Sequence, residues 1–203
     1  MSVASAQPFA LLSPDVVLEA AERVGIVCDG RLFALNSYEN RVYQLGSESH
    51  GTLVLKFYRP ARWSDAQILE EHEFTHELAA AQLPVAEPIA FEGTTLQTHA
   101  GLRYAIFPKL EARAAEIDVR GSLELIGRTL GRIHAIGALR SFRHRPALNS
   151  ERLGWQARDS LLASAFMNSA TLDEAVIDKY AEVSAALLEQ VDLHLERYGP
   201  ASR

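Results

Sequence analysis

The chain has 203 residues, of which 48% are hydrophobic and 23% are charged, a composition typical of a globular protein with one large domain or two small lobes. Its net charge of −6 and its pI near 5.6 argue against a nucleic-acid-binding protein, which usually carries a basic face. The only cysteine is Cys28, which excludes a disulfide framework and a cysteine-based zinc site within one chain and fits a reducing, cytoplasmic location.

The first half of the chain is predicted to alternate strands with two helices. Ser13 suits an N-cap, Pro14 suits the first helical position, and Gly25 ends the helical periodicity that follows them. Alternating apolar residues and polar turns then predict three strands, a helix that begins at a second serine, and two further strands. In order, these elements are Arg31–Leu35, Arg41–Leu45, Thr52–Tyr58, Ser64–Gln82, Val85–Phe91 and Leu102–Phe107.

After Pro108 the pattern changes to helices. Apolar residues recur at helical spacing over Ser122–Gly137, Trp155–Met167 and Leu172–Tyr198, and Gly199-Pro200 is a stop signal for the last helix. We therefore expect an α+β protein with two domains, a β-rich lobe over residues 1–107 and a helical lobe over residues 108–203.

The sequence predicts neither a signal peptide nor a membrane span. Its first residues do not combine a basic stretch with an apolar run. The apolar segment Leu78–Phe91 is interrupted by Pro84, Glu87 and Pro88. A small basic cluster at residues 140–145 is interpreted as a solvated loop, so we expect no membrane and no nucleic acid as a partner.

The third predicted strand carries a lysine that could contact phosphates. Lys56 lies in an apolar strand, with Val54 on the same face. ATP binding needs a cation held rigidly in a partly buried groove, and a strand lysine paired with a helix carboxylate meets that need. An isolated V-L-K is more often a surface lysine. An acidic helix follows this strand at once, however, and the order of the predicted elements is that of a kinase N-lobe.

Three acids on that helix are candidate partners of Lys56, namely Glu70, Glu71 and Glu73. Adjacent residues on a helix point about 100° apart, so the three side chains cannot all face one groove. We choose Glu71 as the partner and keep Glu70 and Glu73 as alternates. The competing interpretation for each acid is an ordinary solvated side chain.

The turn between the first two strands could cover phosphates. The segment Asn36–Asn40 stands where a nucleotide-binding protein often has a glycine-rich loop, and it contains no glycine. Asn and Ser can still form tight turns, and their side chains and backbone N–H groups can contact phosphate. Ser37 and Asn40 are therefore candidate nucleotide-binding residues, with a plain polar hairpin turn as the alternative.

The segment Phe107–Leu110 would join the two lobes. A kinase offers backbone N–H and C=O groups to adenine at this place, so Phe107 and Lys109 are candidate binding residues. His134 lies on a predicted helix and is interpreted as a packed core residue rather than a catalytic base. The sequence contains no G-x-S-x-G nucleophile turn.

Five segments together resemble the bacterial stress response kinase A family: N-S-Y-E-N-R-V-Y-Q, V-L-K-F-Y-R-P-A-R-W, Q-I-L-E-E-H-E-F, L-P-V-A-E-P-I-A-F and L-G-R-I-H. The resemblance implies a protein-kinase-like, bilobal fold of the aminoglycoside phosphotransferase type, with this chain holding the N-lobe and the first helices of the C-lobe. It also implies a cytoplasmic, ATP- and Mg²⁺-dependent serine/threonine protein kinase that acts on proteins during stress and is monomeric at full length.

The resemblance also implies roles for particular residues. Ser37 matches the nucleotide-contacting serine of the turn, and Lys56 matches the lysine that contacts ATP. The Glu70–Glu71 region matches the lysine-pairing helix, and Phe107–Leu110 matches the hinge.

The chain departs from the family pattern in its catalytic machinery. No H-G-D-x-H-x-x-N catalytic loop and no D-x-D or D-F-G metal motif occurs before Arg203, so no catalytic residue and no Mg²⁺ ligand is assigned. We expect an N-terminal portion of a kinase, inactive by itself, with exposed apolar helix faces. The alternatives are a small-molecule kinase of the same fold, acting on homoserine, choline or an aminoglycoside, and a non-catalytic, nucleotide- or partner-binding pseudokinase fragment.

Overall fold

The computed structural model describes residues 8–112, 115–116, 118–167 and 173–198, without the side chains of residues 165–167 and 198. Within these residues lie five strands and five α-helices. In chain order they are α1 (Pro14–Glu22), β1 (Cys28–Leu35), β2 (Arg41–Ser47), β3 (Gly51–Phe57), α2 (Asp65–Ala80), β4 (Gln97–His99), β5 (Leu102–Pro108), α3 (Ser122–Gly137), α4 (Gln156–Met167) and α5 (Glu174–Tyr198).

The five strands form one antiparallel sheet in the order β1-β2-β3-β5-β4. β3 is therefore the central strand, paired with β2 on one side and β5 on the other. Lys56 of β3 lies opposite Val42 on β2 and Ala105 on β5. A side chain in the middle of a sheet is held by hydrogen-bonded neighbours on both sides, which suits a group that has to be placed accurately.

The two faces of β3 have different surroundings. Leu53, Leu55 and Phe57 are almost fully buried, and they belong to the main core cluster with the α1 residues Val17 and Ala20. Successive side chains of a strand point to opposite faces. Val54 and Lys56 are consequently on the other face and only partly buried. One face of the sheet thus forms the core with α1, and the other carries the lysine.

α2 begins with the capping arrangement that its sequence predicts. Ser64 Oγ accepts a hydrogen bond from Gln67 N at 3.3 Å, and Gln67 Oε1 accepts one from Ser64 N at 2.9 Å, which forms a capping box. Ile68 in the first turns is fully buried and packs with Tyr58 and Ala105. Because Ala105 pairs with the lysine in the sheet, α2 is docked on the face that carries Lys56.

The predicted strand Val85–Phe91 is wrong. This segment has no regular ladder, and the fifth strand of the sheet is β4 instead. Pro84 and Pro88 lack the N–H group that a ladder requires. Ile89 N still donates to Ile106 O at 2.8 Å, so the segment runs along β5 through an isolated hydrogen bond. The other predicted strands and helices are confirmed within a few residues, while Leu172 and Gly199-Pro200 lie outside the described residues.

The chain divides into two compact units, Met1–Leu139 and Arg140–Arg203. The first, which we call the sheet unit, contains the sheet with α1, α2 and α3. The second, which we call the helical unit, contains α4 and α5. The domain boundary expected after residue 107 stays a prediction. Among the described helices, none combines the length and apolar character needed to cross a membrane.

The helical unit is held by contacts between α5 and the segment before α4. Asp192 of α5 accepts hydrogen bonds from Ser150 and, at 2.9 Å, from Trp155 Nε1. Both bonds lower the pKa of the Asp192 carboxyl, and the bond from Ser150 has the larger effect. Leu188 lies so close to Gly154 that a β-carbon there would collide with it. The residues from Glu151 to Trp155 form one π-helical turn at this contact.

Candidate functional site

An ion pair joins the central strand to α2. Lys56 Nζ lies 3.0 Å from Glu71 Oε1, and the two side chains are 25% and 36% exposed. Of the three acids considered from the sequence, the structure places Glu71, our choice, against the lysine. A pair this accessible contributes only about 0–1 kcal/mol to stability. Its main effect is therefore to orient the lysine head group, and a role in nucleotide binding stays a prediction.

A buried chain of polar side chains lies next to this pair. Lys56 Nζ is 4.8 Å from the centre of the Tyr58 ring, within the range of a cation–π contact. Tyr58 Oη is 2.7 Å from His72 Nε2, and His72 Nδ1 is 2.7 Å from Thr95 Oγ1. The imidazole thus has a hydrogen-bond partner on each nitrogen and ties the end of β3 to α2 and to the turn before β4.

His72 is only 2% exposed, and its burial lowers the pKa of the imidazole to about 4. The negative charge of Glu71 acts in the opposite direction, and Lys56 reinforces the lowering. The ring is consequently neutral at physiological pH. A neutral histidine at this place fixes its neighbours by hydrogen bonds without adding a positive charge beside the lysine.

Both members of the ion pair line an open groove of about 440 Å³ in the sheet unit. Apolar side chains from β2, β3 and β5 form much of its wall, and the lysine and the acid supply charge. The lining residues are Val42, Val54, Lys56, Glu71, Thr75, Ala86, Phe107, Pro108, Lys109 and Leu110. Apolar walls with a few placed polar groups are the usual composition of a small-molecule site. This groove can accept a flat apolar ring and an anionic group together.

Four of the six residues predicted to bind nucleotide line this groove, namely Lys56, Glu71, Phe107 and Lys109. Phe107 is half-buried, with its ring edge-on to His72 and 6.1 Å away between centres. Lys109 is exposed, and its backbone N–H donates to Thr52 O at 3.1 Å. This N–H group is therefore engaged by β3 rather than turned toward the groove.

The other two predicted residues, Ser37 and Asn40, lie on the β1–β2 turn. Among the described residues they are outside the groove lining, although Asn40 is two residues before Val42, which is part of it. Ser37 Oγ donates to Asn40 O at 2.9 Å. Asn40 Oδ1 accepts from Arg59 N at 3.2 Å. The serine hydroxyl would have to rotate away from this internal bond before it could donate to a phosphate.

His134 is exposed on α3, so its predicted place in a core is wrong. Ile133 is half-buried, and the next residue of a helix points about 100° away from it. His134 also lies outside the groove lining that the structure describes.

Metal ligands do not cluster in the part of the chain that the structure describes. Within it, no three His, Cys, Asp or Glu side chains are grouped in a way that could hold a metal ion. The described residues thus fit the organic and phosphate parts of a nucleotide through the groove and Lys56, but they do not fit Mg²⁺ by themselves.

Comparison with known proteins identifies the family. The sequence model of the phosphotransferase enzyme family matches residues 32–200. The chain belongs to this phosphotransferase enzyme family. Stress response kinase A of Shigella flexneri is 46% identical over 144 residues, which are 71% of this chain and 44% of that protein. The serine/threonine protein kinase RdoA of Salmonella typhimurium is 49% identical over 138 residues, 68% of this chain and 42% of that protein.

A solved kinase structure shares the fold. An amicoumacin kinase, solved in complex with AMP-PNP and Ca²⁺, superimposes with a TM-score of 0.58 and 20% identity, over 77% of this chain and 54% of that chain. The predicted α+β, kinase-like fold and the resemblance to stress response kinase A are both confirmed. The chain spans less than half the length of the curated relatives that it matches.

Two sets of contacts in the sheet unit were missed from the sequence. One is the Tyr58–His72–Thr95 chain described above. The other joins the β1–β2 turn to the segment after β3 through Glu39 and Trp63, which are 24 residues apart. Hydrophobic periodicity does not indicate which distant residue a tyrosine, a histidine or an acid will contact. Only the presence of Tyr, His and Trp within the family-like segments could have drawn attention to them.

Proposed function

We propose that this chain forms the ATP-binding part of a serine/threonine protein kinase of the bacterial stress response. The observation that carries the proposal is the groove in which Lys56, fixed by Glu71, stands beside the apolar residues Val42, Val54 and Phe107. Membership of the phosphotransferase family supports a nucleotide as the ligand. The names of the curated relatives support the stress-response kinase over other members of the fold.

In this proposal each part of the groove has a separate task. The adenine ring lies against the apolar wall near Phe107, and the phosphates lie toward the ammonium group of Lys56. The cation offsets the phosphate charge, as the corresponding lysine does in kinases generally. Ser37 and Asn40 contact the phosphates from the turn, and ATP, when bound, supplies the phosphoryl group for transfer.

We expect ATP binding without phosphoryl transfer by the 203 residues alone. Transfer requires a base or positioning residue for the acceptor hydroxyl and bound metal ions that stabilise the developing charge. The sequence contains no catalytic-loop or metal motif that would provide them. A protein acceptor, a cytoplasmic location and a monomeric state of the complete kinase are parts of the same proposal.

A small-molecule kinase of the same fold is the other enzyme to consider. The amicoumacin kinase shares the fold at 20% identity, which carries no information about the acceptor. Identities of 46% and 49% to proteins named as stress response and serine/threonine protein kinases favour a protein acceptor.

Calorimetric titration of the purified chain with ATP, ADP and adenosine tests the binding proposal, and incubation with γ-labelled ATP and a serine-rich protein tests transfer. We expect both nucleotides to bind more tightly than adenosine, with no labelled protein product. If neither nucleotide binds at millimolar concentration, the ATP site is wrong. Specific labelling that increases with the amount of chain would show instead that these 203 residues are catalytic.

A further inference from the structure

The β1–β2 turn reaches its conformation without glycine. Its five residues, Asn36–Asn40, include no glycine, although a loop that covers phosphates commonly uses glycine to bring its backbone close to the ligand. One bond inside the turn, from Ser37 Oγ to Asn40 O at 2.9 Å, closes it locally. Tyr38, at the tip, is fully exposed and contributes no packing. The pairing of Leu35 with Val42 fixes the base of the turn, and contacts from elsewhere hold its tip.

Those contacts come from the segment that follows β3. Trp63 Nε1 donates a hydrogen bond to Glu39 Oε1 at 2.9 Å, and Arg62 Nε donates to Glu39 Oε2 at 3.3 Å. The Arg62 guanidinium also lies 5.2 Å from the centre of the Trp63 ring. Both oxygens of one carboxylate are thus engaged by two consecutive residues. We call these three residues, Glu39, Arg62 and Trp63, the turn clamp.

The clamp is attached to a fixed part of the sheet unit. Trp63 packs against the buried cluster of Tyr58, Ile68 and Ala105. It also directly precedes Ser64, the N-cap of α2. The turn is therefore fastened to the start of the helix that carries Glu71, so that the turn and the lysine-pairing helix share one anchor.

The charges of the clamp also matter for an anionic ligand. A free carboxylate on a turn that faces phosphates would repel them. Glu39 is 32% exposed, and its charge is matched by the Arg62 guanidinium. The clamp therefore holds the turn while it offsets a negative charge that would otherwise oppose the ligand.

We propose that Glu39 is a positioning residue that fixes the glycine-free β1–β2 turn over the phosphates of the nucleotide, through Trp63 and Arg62. The proposal rests on the proposed ATP site and adds the device that holds one side of it. Glu39 does not contact the reacting atoms. It acts through the backbone of the turn. Removing its contacts should therefore weaken the affinity that comes from the phosphates and leave the affinity that comes from the adenine base unchanged.

Two conservative substitutions separate this role from general stability. Glu39→Gln keeps the size of the side chain but removes the charge that faces Arg62. Trp63→Phe keeps an aromatic ring on the buried cluster but removes the N–H that donates to Glu39. Each has a matched control: Glu48→Gln changes an exposed acid on the β2–β3 turn, and Trp155→Phe removes the N–H that donates to Asp192 in the helical unit.

The measurement is the dissociation constant of the full 203-residue chain for ATP and for adenosine, together with the melting temperature of each variant. We expect Glu39→Gln and Trp63→Phe to weaken ATP binding on the order of tenfold, the effect of one charge-assisted hydrogen bond. Adenosine binding should change less than twofold, and the controls should match the wild type for both ligands. The two changes remove different contacts of one carboxylate, so the double variant should lose less ATP affinity than the sum of the two single losses if the clamp holds the turn as one unit.

The outcomes distinguish this proposal from the proposed function. A wild-type chain that binds ATP no better than adenosine refutes the ATP site and the clamp together. A wild-type preference for ATP that both variants retain refutes the clamp and leaves the ATP site in place. Equal losses for ATP and adenosine, with a lower melting temperature, would mean that Glu39 only stabilises the fold, and that result also overturns the proposal.

Discussion

The sheet unit and the helical unit bury their apolar side chains to very different extents. Among the described residues, all the buried apolar side chains except Ile177 belong to the sheet unit. In the helical unit, α5 carries a row of exposed apolar side chains, each at least 38% exposed: Val176, Tyr180, Val183, Leu187, Val191 and Leu195. Both units are rich in helical or strand periodicity, so periodicity alone does not indicate which apolar faces become a core.

This difference explains where the candidate site can be formed. A binding group must be held by side chains that are themselves fixed by packing. Lys56 and Glu71 lie on elements that share the buried contacts of Tyr58, Ile68 and Ala105. The apolar row on α5 follows helical periodicity, but its side chains are not buried to a comparable extent. It therefore forms an exposed hydrophobic surface rather than a site with fixed side chains. Four predictions test this contrast, beginning with the largest expected effect.

Truncation of a core side chain in the sheet unit should be far more costly than truncation in the exposed row. Phe57 is fully buried and stacks on Tyr104 with 5.3 Å between ring centres, whereas Leu187 is 63% exposed. We expect Phe57→Ala to lower the free energy of unfolding by about 3–5 kcal/mol. Leu187→Ala should change it by about 0.5 kcal/mol or less. Urea unfolding followed by far-UV circular dichroism, which reports on the helices and strands of both units, measures both, and equal losses would contradict the contrast.

The sheet unit should lose stability in acid because of His72. The pKa of its ring is about 4 in the folded chain and about 6.5 when exposed, so below pH 6.5 the unfolded chain takes up a proton that the folded chain does not. The contribution of the buried, neutral His72 to the free energy of unfolding is therefore fully present above pH 6.5. It falls by on the order of 3 kcal/mol as the pH decreases toward 4.

Urea unfolding between pH 7 and pH 4 measures this effect of His72. The pH slope should be smaller in His72→Gln than in the wild type. An unchanged slope in His72→Gln would mean that the buried imidazole does not determine the acid sensitivity.

Removal of the groove lysine should affect ligand binding more than stability. Lys56→Ala should weaken ATP binding roughly 100-fold, as expected for loss of a hydrogen-bonded charge at the phosphates. The melting temperature should change little, because the ion pair is partly exposed. Lys179→Ala is the matched control, since this lysine is exposed and paired with Glu182 in the helical unit. Equal ATP affinities of the two variants, by calorimetry, would remove Lys56 from the site.

The exposed row on α5 should bind a hydrophobic dye without contributing to stability. We expect the double change Val183→Lys and Leu187→Lys to reduce dye fluorescence while the free energy of unfolding changes by about 1 kcal/mol or less. Ala186→Lys adds charge on the same exposed helix without removing a large apolar side chain, so it controls for charge alone. If the double variant unfolds much more easily than this control, the row is part of a core after all.

Local signals were enough to predict most elements and to limit the partner of Lys56 to three acids. The S-P-D start of α1, the capping serine of α2 and the alternation of β3 all act within a few residues, and the structure has these elements as predicted. Helix geometry indicated that Glu70, Glu71 and Glu73 could not all face the lysine, but only the structure distinguishes Glu71 from the other two. The elements depend mainly on residues that are close together in the chain, so a single sequence is enough to predict them.

Features that depend on distant partners could not be predicted in this way. The segment Val85–Phe91 has strand-forming residues, but Pro84 and Pro88 leave it without a ladder, and the much less apolar β4 takes the edge of the sheet. His72 meets Thr95 across 23 residues, and its burial follows from the docking of α2 rather than from its local sequence. Tertiary packing determines both results.

The most direct test of the central claim is to map where an ATP-derived acylating probe reacts. The sequence contains three lysines, Lys56, Lys109 and Lys179, so peptide mass spectrometry can assign every modified lysine side chain. The proposed site predicts that a limiting amount of an acyl phosphate of ATP modifies Lys56 first and that ATP prevents this reaction at a lower concentration than adenosine does. Modification of Lys56 no faster than of Lys179, with no protection by ATP, would contradict a phosphate site at this lysine.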